Sequence, residues 1–152
     1  MKIEEAIQQK KFKNEFHKMS VNILYTAGWM NSQHQSRLKK FGISGQQFNI
    51  LRILRGQYPK PASVNLLIER MLDKMSNASR LVEKLRLKGL VERKVCESDR
   101  RGVDVVITKK GLALLEKLDG HMEVWEEDLK SLTLTEAKEL NRLLDKLRTE
   151  KK

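Results

Sequence analysis

The chain has 152 residues, no internal repeat and a net charge of +11, with 5% aromatic and 34% charged residues. That length suits one domain able to bury a real core, and the composition suits helices with solvated faces. There is no 18-residue apolar run to span a membrane, and no glycine-rich phosphate loop, nucleophile elbow or metal motif to mark an enzyme.

The opening MKIEEAIQQKK has early acids and no apolar core, so it does not read as a signal peptide. A single cysteine, Cys96, allows no internal disulfide. Both points lead us to expect a cytoplasmic protein. The charge is unevenly spread. Residues 1–40 hold 8 Lys/Arg and 3 acids, residues 41–75 hold 5 and 2, and residues 76–110 hold 10 and 5. Residues 111–152 reverse the sign with 8 and 10, so the first 110 residues carry +13 and the last 42 carry −2. A basic body with a mildly acidic end fits a protein that shows one region to a polyanion and another to itself.

In chain order, Phe12, Phe16, Met19, Ile23, Ala27 and Met30 step by three or four residues, which predicts one long helix from about Ile3 to Lys39. Gly28 weakens it locally, by about 1 kcal/mol relative to alanine. Phe41-Gly42-Ile43 breaks the pattern. Ser44 with Gln47 then forms a capping box into a second helix, which buries Phe48, Leu51 and Leu54 and ends at Gly56. Tyr58-Pro59-Lys60-Pro61 is a stiff loop. A third helix starts after Ser63 with Val64, Leu67, Ile68 and Met71 on its buried face, and Asp73-Lys74-Met75 turns the chain.

The next helix opens the stretch Ser76–Thr108, around which the rest is organised. Ala78, Leu81, Val82 and Leu85 share one face, with Ser76 as the expected N-cap and Gly89 as the C′ residue. Ser76, Arg80 and Glu83 point the opposite way, flanked by Asn77 and Ser79. Two hydroxyls, an amide and a guanidinium, with no acid before Glu83, suit base edges and phosphates in a DNA major groove. An ordinary core-packed helix with a solvated face is the competing reading; Leu87, on the polar face, fits neither. After Gly89, LVERKVC and VDVVIT read as two strands. Val103, Val105 and Ile107 face one side of the second strand, and Asp99, Arg100 and Arg101 lie in the Glu97–Gly102 connection. Two helices joined by a short turn, then a basic-tipped hairpin, form a winged helix-turn-helix.

Thr108 is expected to cap a helix from Lys109 to about Lys130. Leu115, Leu118, Met122, Trp125, Leu129 and Leu132 follow a 3-4 spacing. A last helix after Thr135 carries Ala137, Leu140, Leu144 and Leu147 at similar spacing. The winged body leaves these seams little of its own surface to cover, so the terminal regions are read as a dimer interface.

KGLVER, the Asp99-Arg100-Arg101 run and ITKKG, in this order and spacing, resemble the MarR family of bacterial transcription regulators, and the likeness extends over nearly the whole chain. The resemblance implies a mainly α fold with a small β-wing. Residues 1–152 would form a single MarR-like domain, with a winged helix-turn-helix core at 41–110 and dimerisation helices at 1–40 and 111–152 that interlock between two subunits. It also implies a very short strand at Ala62 against the wing. In the major groove it would place Ser76, Asn77, Ser79 and Arg80. By the family's D-x-R pattern, Arg101 would enter the minor groove, Asp99 would hold it there, and Arg100 would serve the phosphates.

The expected function is that of a homodimeric, sequence-specific DNA-binding regulator. It would be a repressor bound to an inverted-repeat operator in double-stranded DNA and released by a small aromatic or anionic effector. Tyr25 and Trp29 would line the effector pocket, although core packing is their plainer role. Neither a cofactor nor a membrane partner is expected. Cys96 reads as a small buried side chain, since peroxide-sensing relatives carry their reactive cysteine near the N-terminus. His17, His34 and His121 lie too far apart in sequence for the zinc site some relatives have. The alternative is a sequence-neutral architectural DNA-binding protein using the same basic wing. A protein-binding winged domain is disfavoured by the arginine tip.

Overall fold

The structure, a computed structural model, describes residues 1–95 and 102–149. Among these residues the order is α1 (Ile3–Ala6), α2 (Glu15–Lys39), α3 (Gly45–Gln57), β1 (Ala62–Ser63), α4 (Val64–Arg70), α5 (Ala78–Leu87), β2 (Val91–Val95), β3 (Val103–Ile107), α6 (Lys109–Glu127) and α7 (Leu134–Leu147). They form two compact units, Met1–Leu112 and Ala113–Lys152.

In the first unit, the stretch expected as one helix from Ile3 to Lys39 is two helices. Gln8 takes a positive φ of 53°, and Asn14 starts α2 by accepting the His17 N–H at 2.8 Å. Residues 6–14 hold three lysines and no acid, so like charges crowd any helix there, while the Asn14 side chain offers the backbone another partner. Phe12 therefore sits in the connection, edge-on to the His17 ring at 5.6 Å. A Lys18–Glu4 ion pair ties α1 to α2, and Ile3 is buried. Helix α2 continues through Gly28. Its expected apolar stripe is largely uncovered within one chain: Phe16 is 78% exposed, and only Leu38 of the helix is buried.

The Ser44–Gln47 capping box forms as expected, with both bonds at 3.1 Å. Helix α3 supplies Phe48, Ile50, Leu51 and Leu54 to the core and packs against α2, α4, α5 and β3. It runs one residue past Gly56, where the sequence placed its end. Ser63 caps α4 by accepting the Leu66 N–H at 3.1 Å. Leu67 and Met71 are buried, but Ile68, expected beside them, is 43% exposed. A helix of seven residues buries only a narrow row, and Ile68 falls outside it.

The sheet is antiparallel in the order β1-β3-β2. Val105 pairs with Ala62 on one side and Arg93 on the other, which gives the short third strand the resemblance implied. Val105 and Ile107 are buried, following the alternation seen in the sequence. Helix α5 ends in a Schellman turn: Gly89, at φ +72°, donates to Arg86 O and Leu90 donates to Leu85 O. Thr108 caps α6 by accepting the Gly111 N–H at 3.1 Å, and its hydroxyl donates to Gly89 O at 2.7 Å.

The second unit comprises the remainder of α6, then α7. Leu115 and Leu118 are fully buried. Helix α6 stops at Glu127, short of the expected Lys130, so Leu129 and Leu132 lie beyond it in a turn. Thr133, not Thr135, caps α7, through a capping box with Glu136. Thr135 has no glutamate or glutamine three residues on, whereas Thr133 does, and the reciprocal box decides between two otherwise similar caps. No α7 residue is buried, and Leu140, Leu143 and Leu147 stay 45–52% exposed.

One close contact can be tested directly. A Cβ on Gly111, the glycine of ITKKG, would run into Leu90 O and lie 2.6 Å from Ile107 Cγ1, whereas one on Gly56 would meet nothing within 4 Å. Gly111→Ala should destabilise the protein by about 1–3 kcal/mol through overpacking. Gly56→Ala should stabilise it by roughly 0.5–1 kcal/mol through helix propensity. Urea denaturation of both variants checks the opposite signs.

Candidate nucleic-acid interface

The buried face of α5 is the one read from the sequence: Ala78, Leu81, Val82 and Leu85 are at most 8% exposed. Helix α5 packs them against α3, α4 and β2. This leaves Ser79, Arg80, Lys84 and Arg86 exposed on the other side.

The structure divides the four expected reader residues into two pairs. Asn77, not Ser76, is the N-cap; its Oδ1 accepts the Arg80 N–H at 3.1 Å. Ser76 sits one residue earlier, with its own N–H donated to Asp73 O at 3.2 Å and its hydroxyl accepting from Gln46 Nε2 at 3.0 Å. Both side chains thus shape the entry to the helix. Ser79 and Arg80 lie inside the first turn and point away from the core.

Sequence reasoning placed Asp73 in the turn but missed its partner Gln46. Gln46 Nε2 donates to both Ser76 Oγ and Asp73 Oδ2, each at 3.0 Å. Asp73 Oδ1 accepts the Met75 N–H at 2.9 Å, closing the turn in which no glycine was available. Asn49 Oδ1 accepts the Leu72 N–H at 2.9 Å, so α3 grips the turn at two points. The Met75 N–H and then the Gln46 amide hold the Asp73 carboxyl below the usual carboxylate range, with Ser76 helping. Because Gln46 and Asp73 are 27 residues apart, no local pattern announces them.

At the other end of α5, Lys88 Nζ donates to Gly42 O at 2.5 Å and Gln47 Oε1 at 3.1 Å. Lys110 Nζ donates to Lys88 O at 3.0 Å. Glu83 accepts from Arg86 and also pairs with Arg93 of β2 at 2.9 Å. Leu87 is 72% exposed, and nothing in the structure explains it. Asp99, Arg100 and Arg101, and with them Cys96, lie outside the described residues.

Tyr25 and Trp29 stand one turn apart on α2, 40% and 43% exposed. Among the described residues, no three His, Cys, Asp or Glu side chains group to hold a metal, and no helix is long and apolar enough to cross a membrane.

The MarR family model matches residues 41–102, the segment from the start of α3's cap into the wing. A MarR transcription factor from Planctomyces limnophilus superposes with a TM-score of 0.67 at 29% identity, over 89% of this chain and 98% of its own. Over that segment and in its fold, the chain is similar to the MarR family. A mutant MarR from E. coli, complexed with operator DNA, matches with a TM-score of 0.78 at 25% identity, over 92% of this chain and 100% of its own. An organohalide-sensing transcriptional regulator in its 2,4-dichlorophenol-bound form shares the fold: TM-score 0.79, 21% identity, 92% of this chain and 85% of its own. Curated protein sequences gave no match. These likenesses are to transcription regulators, and the chain shares the winged helix fold of MarR structures.

The Asp73 turn carries a pH signature. A depressed carboxylate stabilises the fold fully above its ordinary pKa near 4 and loses that contribution as pH falls through the lowered value. Asp73→Asn keeps the oxygen but not the charge. It should melt below wild type at pH 7, and the gap should close as pH falls below about 4. Thermal melts across that range check it; a gap constant with pH would contradict the electrostatic account.

Proposed function

We propose that this chain is a MarR-family regulator that works as a homodimer, binds an inverted-repeat operator in double-stranded DNA and represses transcription until a small aromatic or anionic molecule releases it. The observation that carries the DNA-binding part is the first turn of α5. Its backbone is pinned by Asn77 and by the Gln46–Ser76–Asp73 cluster, while Ser79 and Arg80 project from the face opposite the core. Arg80 is the side chain suited to a guanine edge or a phosphate; Ser79 adds a short donor and acceptor beside it. Ser76 and Asn77 complete the major-groove set mainly by holding the helix start in place.

The E. coli relative bound to operator DNA supports the reading. So does the +13 charge of residues 1–110. The dimer rests on uncovered apolar side chains at both ends, Phe16 and Leu24 on α2 and Leu134, Leu140, Leu143 and Leu147 on α7. Exposed stripes of this kind favour association with a second copy. The effector rests on the dichlorophenol-bound relative and on the half-exposed Tyr25 and Trp29. A ligand there would act by favouring one spacing of the two reader helices over another. Residues 41–110 would be the DNA-binding core, and 1–40 and 111–152 the dimerisation helices, in a cytoplasmic protein.

Sedimentation equilibrium at micromolar protein should give twice the 17.7 kDa chain mass. Footprinting should reveal two half-sites centred about 10 bp apart, one turn of DNA. A monomer, or a single unpaired half-site, would contradict the proposal.

The Asp99-Arg100-Arg101 run gives a sharper test. Arg101 suits the narrow, strongly negative minor groove, Arg100 the phosphates, and Asp99 would hold Arg101 ready before binding. Arg101→Ala should weaken operator binding by roughly 1–3 kcal/mol with the dimer intact. Asp99→Ala should weaken it too, although it removes a negative charge. Titrations by fluorescence anisotropy decide, and tighter binding by Asp99→Ala would refute its positioning role.

A further inference from the structure

Glu83 is the one acid in α5, and it lies one turn beyond Ser79 on the face turned away from the core. A carboxylate on the face proposed to meet DNA opposes binding, so its neighbours matter. Arg86 donates to both its oxygens, Nε to Oε2 at 3.0 Å and Nη2 to Oε1 at 2.7 Å. Arg93 Nη2 reaches Oε2 from β2 at 2.9 Å. One carboxylate therefore holds two guanidinium groups, one on its own helix and one on the first wing strand, and spans the joint between them. The Arg86 bonds keep Glu83 ionised by drawing its carboxyl below the usual carboxylate range, with Arg93 adding to the effect.

We propose that Glu83 is a specificity-determining positioning residue: by holding Arg86 and Arg93 it withholds two cations from sequence-neutral phosphate contact and fixes β2 against the reader helix. The inference rests on the DNA-binding reading above. A free arginine binds phosphate on any sequence, because the phosphate backbone carries no sequence information. An arginine held by a carboxylate contributes little to that background. Affinity then depends more on Ser79, Arg80 and the placement of the wing. On this account the acid weakens binding to every DNA a little and to the wrong DNA most.

The test uses the full-length protein and two duplexes: one selected from a random library by the wild type, and a scrambled one of equal composition. Glu83→Gln should bind the scrambled duplex more tightly and steepen its salt slope by about 2–4, since each protomer of the dimer frees two arginines. The ratio of selected to scrambled affinity should fall about tenfold, the scale of one good directional contact. A merely structural role would lower melting temperature without steepening that slope. The triple variant Glu83→Gln, Arg86→Gln, Arg93→Gln removes the acid with both cations and should return the slope to the wild-type value; a slope shallower by about 2–4 would mean that the arginines already contact phosphate, and would overturn the inference. A discriminating wild type beside an equally discriminating Glu83→Gln would also overturn it, leaving the regulator reading standing. Equal binding of both duplexes by the wild type would overturn that reading and this inference together.

Discussion

Burial of one face of α5 is the constraint on which the rest depends. Ala78, Leu81, Val82 and Leu85 leave water against α3, α4 and β2, and each larger side chain contributes about 1.5–3 kcal/mol by doing so. Once that face is fixed, helical geometry decides what is outside: Ser79, Arg80 and Glu83 have nowhere else to point. The function proposed for the chain is thus the complement of its core. Ser79 and Arg80 are thereby left exposed, while Glu83 on the same face is engaged by Arg86 and Arg93.

Hydrophobic burial sets the rotation of the helix but leaves its ends loosely placed, and polar bonds settle them. Gln46 and Asn49 from α3 hold the turn before α5, and Asp73 closes that turn on itself. At the far end the Schellman turn at Gly89 and the Lys88 bonds to Gly42 and Gln47 fix where the helix stops and the wing begins. Glu83 ties the middle of the helix to β2. Because α3 sits beneath all of this, a change at α3 would be felt at both ends of the reader. In a regulator that responds to a ligand, α3 is where a shift elsewhere in the first unit would be passed on.

Features with a short sequence range were legible. The α5 core face, the Ser44–Gln47 box, the Gly89 stop and the alternation of Val103, Val105 and Ile107 each follow from side chains within a few residues of one another. Choices between near-equivalent neighbours were not. Ser76 and Asn77 are both good caps, and the Asp73 turn, which takes up the Ser76 N–H, leaves Asn77 to cap. Thr133 prevailed over Thr135 through its partner Glu136. The expected helix over Ile3–Lys39 kept its apolar spacing, but spacing does not register that Lys10, Lys11 and Lys13 crowd like charges together and that Asn14 can start a helix afresh. Long-range polar contacts such as Gln46–Asp73 and Glu83–Arg93 left no periodic trace at all. The candidate site was therefore legible as a helix face, not as the network that orients it.

The central claim is that the exposed first turn of α5 reads base sequence. Selecting duplexes from a random library with wild type and with Arg80→Ala addresses it most directly. The account predicts that wild type enriches an inverted repeat, and that Arg80→Ala loses the preference at one symmetric pair of positions while keeping the rest of the motif. Enrichment of an unchanged motif by Arg80→Ala, or of no motif by the wild type, would contradict it.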